Sequence, residues 1–270
     1  MPREDEHIIQ TSYIWKEPEE IDAMYKVSGY IMKYMPGGDL WSLYSKHLLD
    51  NYAEPLTHGV HPSVVRFYVV DILQKLRQIH SMGYYHGDVK MQNLMMTEEG
   101  RVLFTDFGSA GRDRWSERLH HPEGTVMVMA PEFFLWDNQS GYMMPGDLWA
   151  VGILAYMLVF FDHPYENEAE EEPSDENVYP KLMQFVQSPE WPVIDEDDPL
   201  CKEKEEALDF IQDLLVYNQE ERLSWHHISY HPWIKEQWYA MKYHEVEPEA
   251  PLIYRDDKWV IAKSWENYLV

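Results

Sequence analysis

Basic side chains are few in this sequence. Lysine and arginine number 22 against 48 aspartates and glutamates, which leaves a formal net charge of −26. A surface so acidic argues against a general binder of nucleic acid or of anionic membrane, and favours basic partners. Cysteine is nearly absent. Cys201 stands alone, so no disulfide forms within the chain and a reducing compartment, cytoplasm or nucleus, is the expected setting. Long hydrophobic runs are missing too. No apolar stretch follows a basic start, so no secretory leader is expected. The longest apolar stretch, residues 148–161, is too short to span a bilayer and suits a buried core helix. What is present, 270 residues with 45% hydrophobic content, suffices for a sizeable core in one large domain or two small ones. A soluble intracellular protein is expected.

The chemistry is concentrated in His86-Gly87-Asp88-Val89-Lys90-Met91-Gln92-Asn93 and in Asp106-Phe107-Gly108. Leu94-Met95-Met96 and Val102-Leu103-Phe104 read as short strands, and Thr97-Glu98-Glu99-Gly100 as the turn between them. Such a hairpin returns Asp106 towards Asn93 and brings two carboxylates, an amide and an ammonium to one point. An amide oxygen and a carboxylate are hard ligands suited to Mg²⁺ beside phosphate oxygens. The second carboxylate can take a proton from a hydroxyl, and the lysine can neutralise charge on a transferring phosphoryl group. A polar loop before a hairpin would explain any one of these residues, but not all of them in this order.

These residues carry a resemblance. HGDVKMQN resembles the H-R-D-x-K-x-x-N catalytic loop of eukaryotic-type protein kinases, and DFG stands unchanged. Gly124-Thr125 leading to Ala130-Pro131-Glu132, then Asp147-x-Trp149-x-x-Gly152, Arg222 and His231-Pro232-Trp233 follow in family order. The likeness runs from about residue 7 to residue 233. It implies an α+β, kinase-like fold with a mainly helical large lobe and a reduced β-strand small lobe. It also implies ATP and Mg²⁺ as cofactors. Asp88 would orient the substrate hydroxyl and take its proton, and Lys90 would contact the γ-phosphate. Asn93 and Asp106 would hold the metal. Thr125 resembles the threonine that bridges the catalytic aspartate and lysine in serine/threonine kinases, and Lys90 points to the same class. Asp147 would hydrogen-bond the catalytic-loop backbone, and Glu132 would pair with Arg222. Gly87 departs from the pattern, standing where the family usually has arginine.

Upstream, segments 7–15 and 25–35 read as strands, separated by a polar turn at 17–20. They resemble the last two strands of the small lobe. Met32-Lys33-Tyr34-Met35 resembles the hinge whose backbone holds adenine, with Met32 at the gatekeeper place. Asp39, after Pro36-Gly37-Gly38, matches a position that often holds an acid near ribose or substrate. No G-x-G-x-x-G and no V-A-I-K-like segment occurs in the sequence. Lys16 and Lys26, the lysines before the hinge, read as solvated charges.

Residues 62–82 are expected as a helix, since Val65, Val69, Ile72, Leu76 and Ile79 recur at helical spacing between Pro62 and Gly83. A buried helix opens at Asp147, and 207–216 and 228–233 supply closing helices. Residues 166–177 read as an acidic, solvated loop. His120-His121 and His226-His227 read as solvated pairs, without the partner spacing of a metal site. Ser116, between charges, is a candidate phosphosite. Three parts are expected: a small-lobe remnant and hinge (1–35), a large lobe (36–234) and a tail rich in Trp and Tyr that docks on the domain (235–270). The leading reading of function is a protein serine/threonine kinase acting on basic protein substrates, with a partner protein that completes the small lobe. The alternative is a pseudokinase that works as a binding or scaffolding module.

Overall fold

The computed structural model describes residues 11–18, 25–45, 60–112, 124–134, 143–165, 175–243, 248–256 and 258–268. Residues 1–10, Ser116, His120-His121 and 166–174 lie outside them.

Two antiparallel strands, β1 (Thr11–Pro18) and β2 (Tyr25–Met32), open the described chain. Glu17 and Pro18, expected in a turn over 17–20, instead belong to β1, where Glu17 pairs with Lys26 and Pro18 with Tyr25, and residues 19–20 lie outside the described ones. A proline at a strand end removes no ladder donor that is needed. β2 stops at Met32, three residues short of the expected end, and Lys33 to Met35 run on outside a strand. Gly38, at a φ of +72°, turns the chain into α1 (Leu40–Leu43).

The helix α2 (Pro62–Ser81) bears out the periodicity. Pro62 occupies its first turn, His61 caps it by accepting from the Ser63 N–H, and Gly83 leaves it at a φ of +82°. Its apolar stripe is buried throughout. After β3 (Tyr84–Tyr85), the strands β4 (Leu94–Met96) and β5 (Val102–Phe104) pair antiparallel as the expected hairpin, Leu94 facing Phe104. Next come β6 (Gly111–Arg112), which pairs with β3, and α3 (Pro131–Phe134).

The central helix α4 (Met144–Phe160) begins three residues before Asp147 and is buried nearly all round. α5 (Asp175–Gln187) takes residues 175–177 out of the expected acidic loop. Its buried residues Val178, Leu182 and Phe185 have helical spacing, a signal masked by Pro180 and the charge upstream. α6 (Cys201–Leu214) starts six residues before the expected 207, in a charged turn where Lys204 binds Asp198 at 2.7 Å. The single helix expected over 228–233 is two, α7 (Trp225–Ile228) and α8 (Pro232–Tyr243), because Pro232 starts a new helix rather than continuing one. α2, α4, α6 and α8 pack around one core. No helix among the described residues is long and apolar enough to cross a membrane.

Past α8, the hairpin of β7 (Leu252–Arg255) and β8 (Lys258–Ile261) lies against the turn of the β4–β5 hairpin. The Tyr254 N–H donates to the Glu98 carbonyl at 2.7 Å. The Trp259 indole donates to the Gly37 carbonyl at 3.2 Å, and Trp265 meets Phe67 edge-on at 5.7 Å. Gly100 makes the approach feasible. It sits at a φ of +76°, and a Cβ there would drive into the Leu252 carbonyl. Left-handed backbone costs about 1–2 kcal/mol for a residue with a Cβ, before any displacement of the tail. Gly100→Ala is therefore expected to lose roughly 2 kcal/mol or more of stability in urea denaturation. A loss under about 0.5 kcal/mol would show that the tail contact is loose.

Candidate active site

The hairpin of β4 and β5 builds one side of the site. Its ladder extends one step beyond the strands, the Thr105 N–H donating to the Asn93 carbonyl at 3.0 Å. Asp106 follows at a φ of +56°, a left-handed conformation that aspartate tolerates better than most residues. Its carboxylate is exposed, and one oxygen accepts from the Gly108 N–H at 3.3 Å. Asn93 is buried, and its amide nitrogen donates to both the Asp88 carbonyl at 2.9 Å and the Asp88 carboxylate at 2.8 Å. With the amide nitrogen turned to Asp88, Oδ1 is turned away from it.

Asp88 is the hub. One carboxylate oxygen accepts from the Thr125 N–H at 2.9 Å, and the other meets Lys90 at 2.7 Å and Asn93. Lys90 also reaches the Thr125 hydroxyl at 2.5 Å, so the ammonium bridges Asp88 and Thr125. Burial alone would raise the Asp88 carboxyl, but bonds from Lys90 and from the Thr125 side chain and backbone outweigh it and hold the group below its ordinary value. Asp88 is thus an anion at neutral pH. Gly124 lets this strand of chain come close, since a Cβ there would stand 2.8 Å from the Gly87 carbonyl.

The catalytic loop hangs from α4. The buried Asp147 carboxylate accepts from the backbone N–H groups of His86 and Gly87 at 2.7 and 2.8 Å, as expected. His80, which sequence reasoning missed, donates to the same carboxylate at 2.8 Å while its other ring nitrogen accepts from the Trp225 indole at 2.9 Å. Those two bonds define a neutral imidazole with its proton on Nε2. The signal was slight: a polar residue on the buried side of a helix's last turn. His86 is fully buried between Phe104 and Phe107, its Nε2 against the Thr105 carbonyl at 3.0 Å. Burial pushes its pKa down, so it too is neutral at physiological pH. It is a spacer that joins the loop bearing Asp88 to the turn at Asp106.

The remaining expected residues fall beside this centre. Met32 is partly exposed, its sulfur 3.7 Å from the Thr105 hydroxyl, so the hinge-like segment borders the residue before Asp106. Lys33 is exposed, and Met35 is buried with its carbonyl accepting from Gly38. Asp39 directs both carboxylate oxygens to Ser42, at 2.8 and 2.9 Å, as the cap of α1. Arg222 grips Glu132 with two bonds of 2.7 and 3.0 Å and also donates to the Pro145 and Val216 carbonyls. This buried pair ties α3 to the large-lobe core.

A helical large lobe, a small-lobe hairpin and this loop-plus-hairpin centre define a protein kinase. The comparisons agree. Residues 3–234 match the protein kinase domain family, and the chain belongs to it, on the serine/threonine side. Human citron Rho-interacting kinase is 30% identical over 233 residues, 84% of this chain and 10% of that protein. Human myotonin-protein kinase is 28% identical over 191 residues, 68% of this chain and 27% of that protein. Human Rho-associated protein kinase 1 is 30% identical over 176 residues, 64% and 12%. The chain thus spans between a tenth and about a quarter of the length of these relatives.

Proposed function

We propose that the chain is a serine/threonine kinase that moves the γ-phosphoryl group of ATP to a protein hydroxyl. The observation that carries this reading is the Lys90 ammonium held on both Asp88 and Thr125, with Asn93 securing Asp88 from the other side. In this reading Asp88, an anion held in fixed orientation, accepts the substrate hydroxyl proton. Lys90 faces the γ-phosphate, and the backbone of Met32 to Met35 receives adenine, with Asp39 near the ribose or the substrate. Asn93 Oδ1 and the Asp106 carboxylate are hard oxygen donors on adjacent hairpin arms, a set that fits Mg²⁺ completed by phosphate oxygens. Among the described residues no three His, Cys, Asp or Glu side chains cluster to hold a metal by themselves. Mg²⁺, when bound, neutralises charge on the phosphate oxygens.

Calorimetry is expected to show ATP or ADP binding that requires Mg²⁺ and that Asp106→Asn removes. Metal-independent binding, or none, would take Asn93 and Asp106 out of the site.

A second reading, a pseudokinase that binds or scaffolds, has one observation in its favour: the 270 residues contain no G-x-G-x-x-G and no V-A-I-K-like segment. A partner protein that completes the small lobe would reconcile the two. The net charge of −26 supports basic protein substrates, and offers no attraction to nucleic acid or anionic membrane. On peptide arrays basic sequences are expected to be preferred, and less so at high salt. The Debye length falls from about 10 Å at 0.1 M to about 3 Å at 1 M. A preference for acidic peptides, or indifference to salt, would count against it.

A further inference from the structure

The segment that follows Asp106 lies directly on the catalytic loop, and two glycines make this feasible. Gly87 has a φ of +82° and donates to Asp147 at 2.8 Å, and a Cβ there would stand 2.5 Å from the Ser109 carbonyl oxygen. Two residues past Ser109, Gly111 pairs with Tyr85 across β3 and β6, and a Cβ on Gly111 would run into the Tyr85 phenol. Arg112 closes the end of this ladder. Its guanidinium lies 5.7 Å over the Tyr84 ring, and its Nε donates to the Tyr84 hydroxyl at 3.2 Å. Phe107 packs on His86 from the other side, ring centres 4.9 Å apart. The chain on the C-terminal side of Asp106 is therefore fixed to the loop bearing Asp88 by close backbone contact and a two-residue ladder.

We propose that Gly87 and Gly111 are positioning residues for the metal-binding turn. Each omits a side chain where the segment 109–112 must touch the loop 84–87, and the contact holds Asp106 in register with Asn93. The inference rests on the reading of Asn93 and Asp106 as the Mg²⁺ pair. A Cβ at either glycine lifts the segment, so that Asp106 loses its fixed relation to Asn93 while the helical core stays intact. The loop stays hung from Asp147 through backbone bonds that do not involve the added atom.

The test compares Gly87→Ala and Gly111→Ala with the unmodified 270-residue chain by two measurements. Hydrogen exchange of the nucleotide-free proteins is expected to accelerate at least tenfold in 107–112 in both variants, with α2 and α4 unchanged. The ratio of ADP dissociation constants without and with Mg²⁺ is expected to fall at least fivefold. A merely structural role would lower thermal stability and leave that ratio alone, which would overturn the proposal. So would wild-type exchange in both variants. Gly111 has an ordinary φ, so Gly111→Ala decides the matter if Gly87→Ala does not fold. Absence of Mg²⁺-dependent binding in the unmodified chain would defeat the metal reading, and the exchange rates would still judge the contact itself.

Discussion

Asp88→Asn is expected to reduce phosphotransfer by about 10²–10⁴-fold, the usual contribution of a positioned general base. The substitution keeps the shape of the side chain and removes its charge. Lys90 then loses the anion it touches at 2.7 Å and keeps only the Thr125 hydroxyl. The substrate hydroxyl loses its proton acceptor. Asn93 keeps its bond to the backbone carbonyl of residue 88 at 2.9 Å and Asp106 is unaltered, so affinity for Mg-ADP should change by no more than about threefold, roughly the effect of losing a contact worth under 1 kcal/mol. The measurement is single-turnover transfer from ATP to a basic protein, beside calorimetry of the same variant. A rate that survives within tenfold would place the base elsewhere. A collapse of Mg-ADP binding would mean that Asp88 holds the metal side together rather than serving the hydroxyl.

The second large effect concerns the small lobe. The described part of that lobe is the β1–β2 hairpin, and the 270 residues contain no G-x-G-x-x-G and no V-A-I-K-like segment, the patterns of the glycine loop and the lysine strand. In kinases those parts cover the phosphates and complete the charge clamp. Orientation is worth roughly 7–11 kcal/mol of a barrier in favourable cases, so partial loss costs many decades of rate. This 270-residue polypeptide is expected to transfer phosphate very slowly. Joining a complete glycine loop, lysine strand and glutamate-bearing helix in front of His7 should raise the rate by orders of magnitude. The gain should vanish with Asp88→Asn. A graft that folds and binds Mg-ATP yet stays inactive would favour the scaffold reading. An ordinary kinase rate in the ungrafted polypeptide would show that the phosphates are covered in some other way.

The two expectations meet at the same residues, and those residues differ in how they could be read. The β4–β5 hairpin was legible because strand, turn and strand are adjacent, so its register follows from local pattern. α2 was legible for the same reason, its stripe repeating within one helix. α5 was not, because Pro180 and the acidic run before it obscure the spacing of Val178, Leu182 and Phe185. The starts of α4 and α6 were missed by three and six residues. A helix end depends on what its first turn touches, and Lys204 finds Asp198 only in three dimensions.

The sequence by itself determined the family, the order of the polar groups at the candidate site and their chemistry as carboxylates, ammonium and amide. Those properties belong to side chains and to spacings within a few residues. The tertiary structure alone decided which polar groups were already engaged. Asp39, a carboxylate expected near ribose or substrate, turns both oxygens to Ser42. His80, an unremarked residue in a helix, joins Asp147 to Trp225. Gly87 reads in the sequence only as a missing arginine, and in the fold it is the point where Ser109 comes within contact of the catalytic loop. Each of these depends on the direction of a side chain or on backbone segments remote in sequence that meet. Such contacts are fixed by packing of the whole core, which no local pattern encodes.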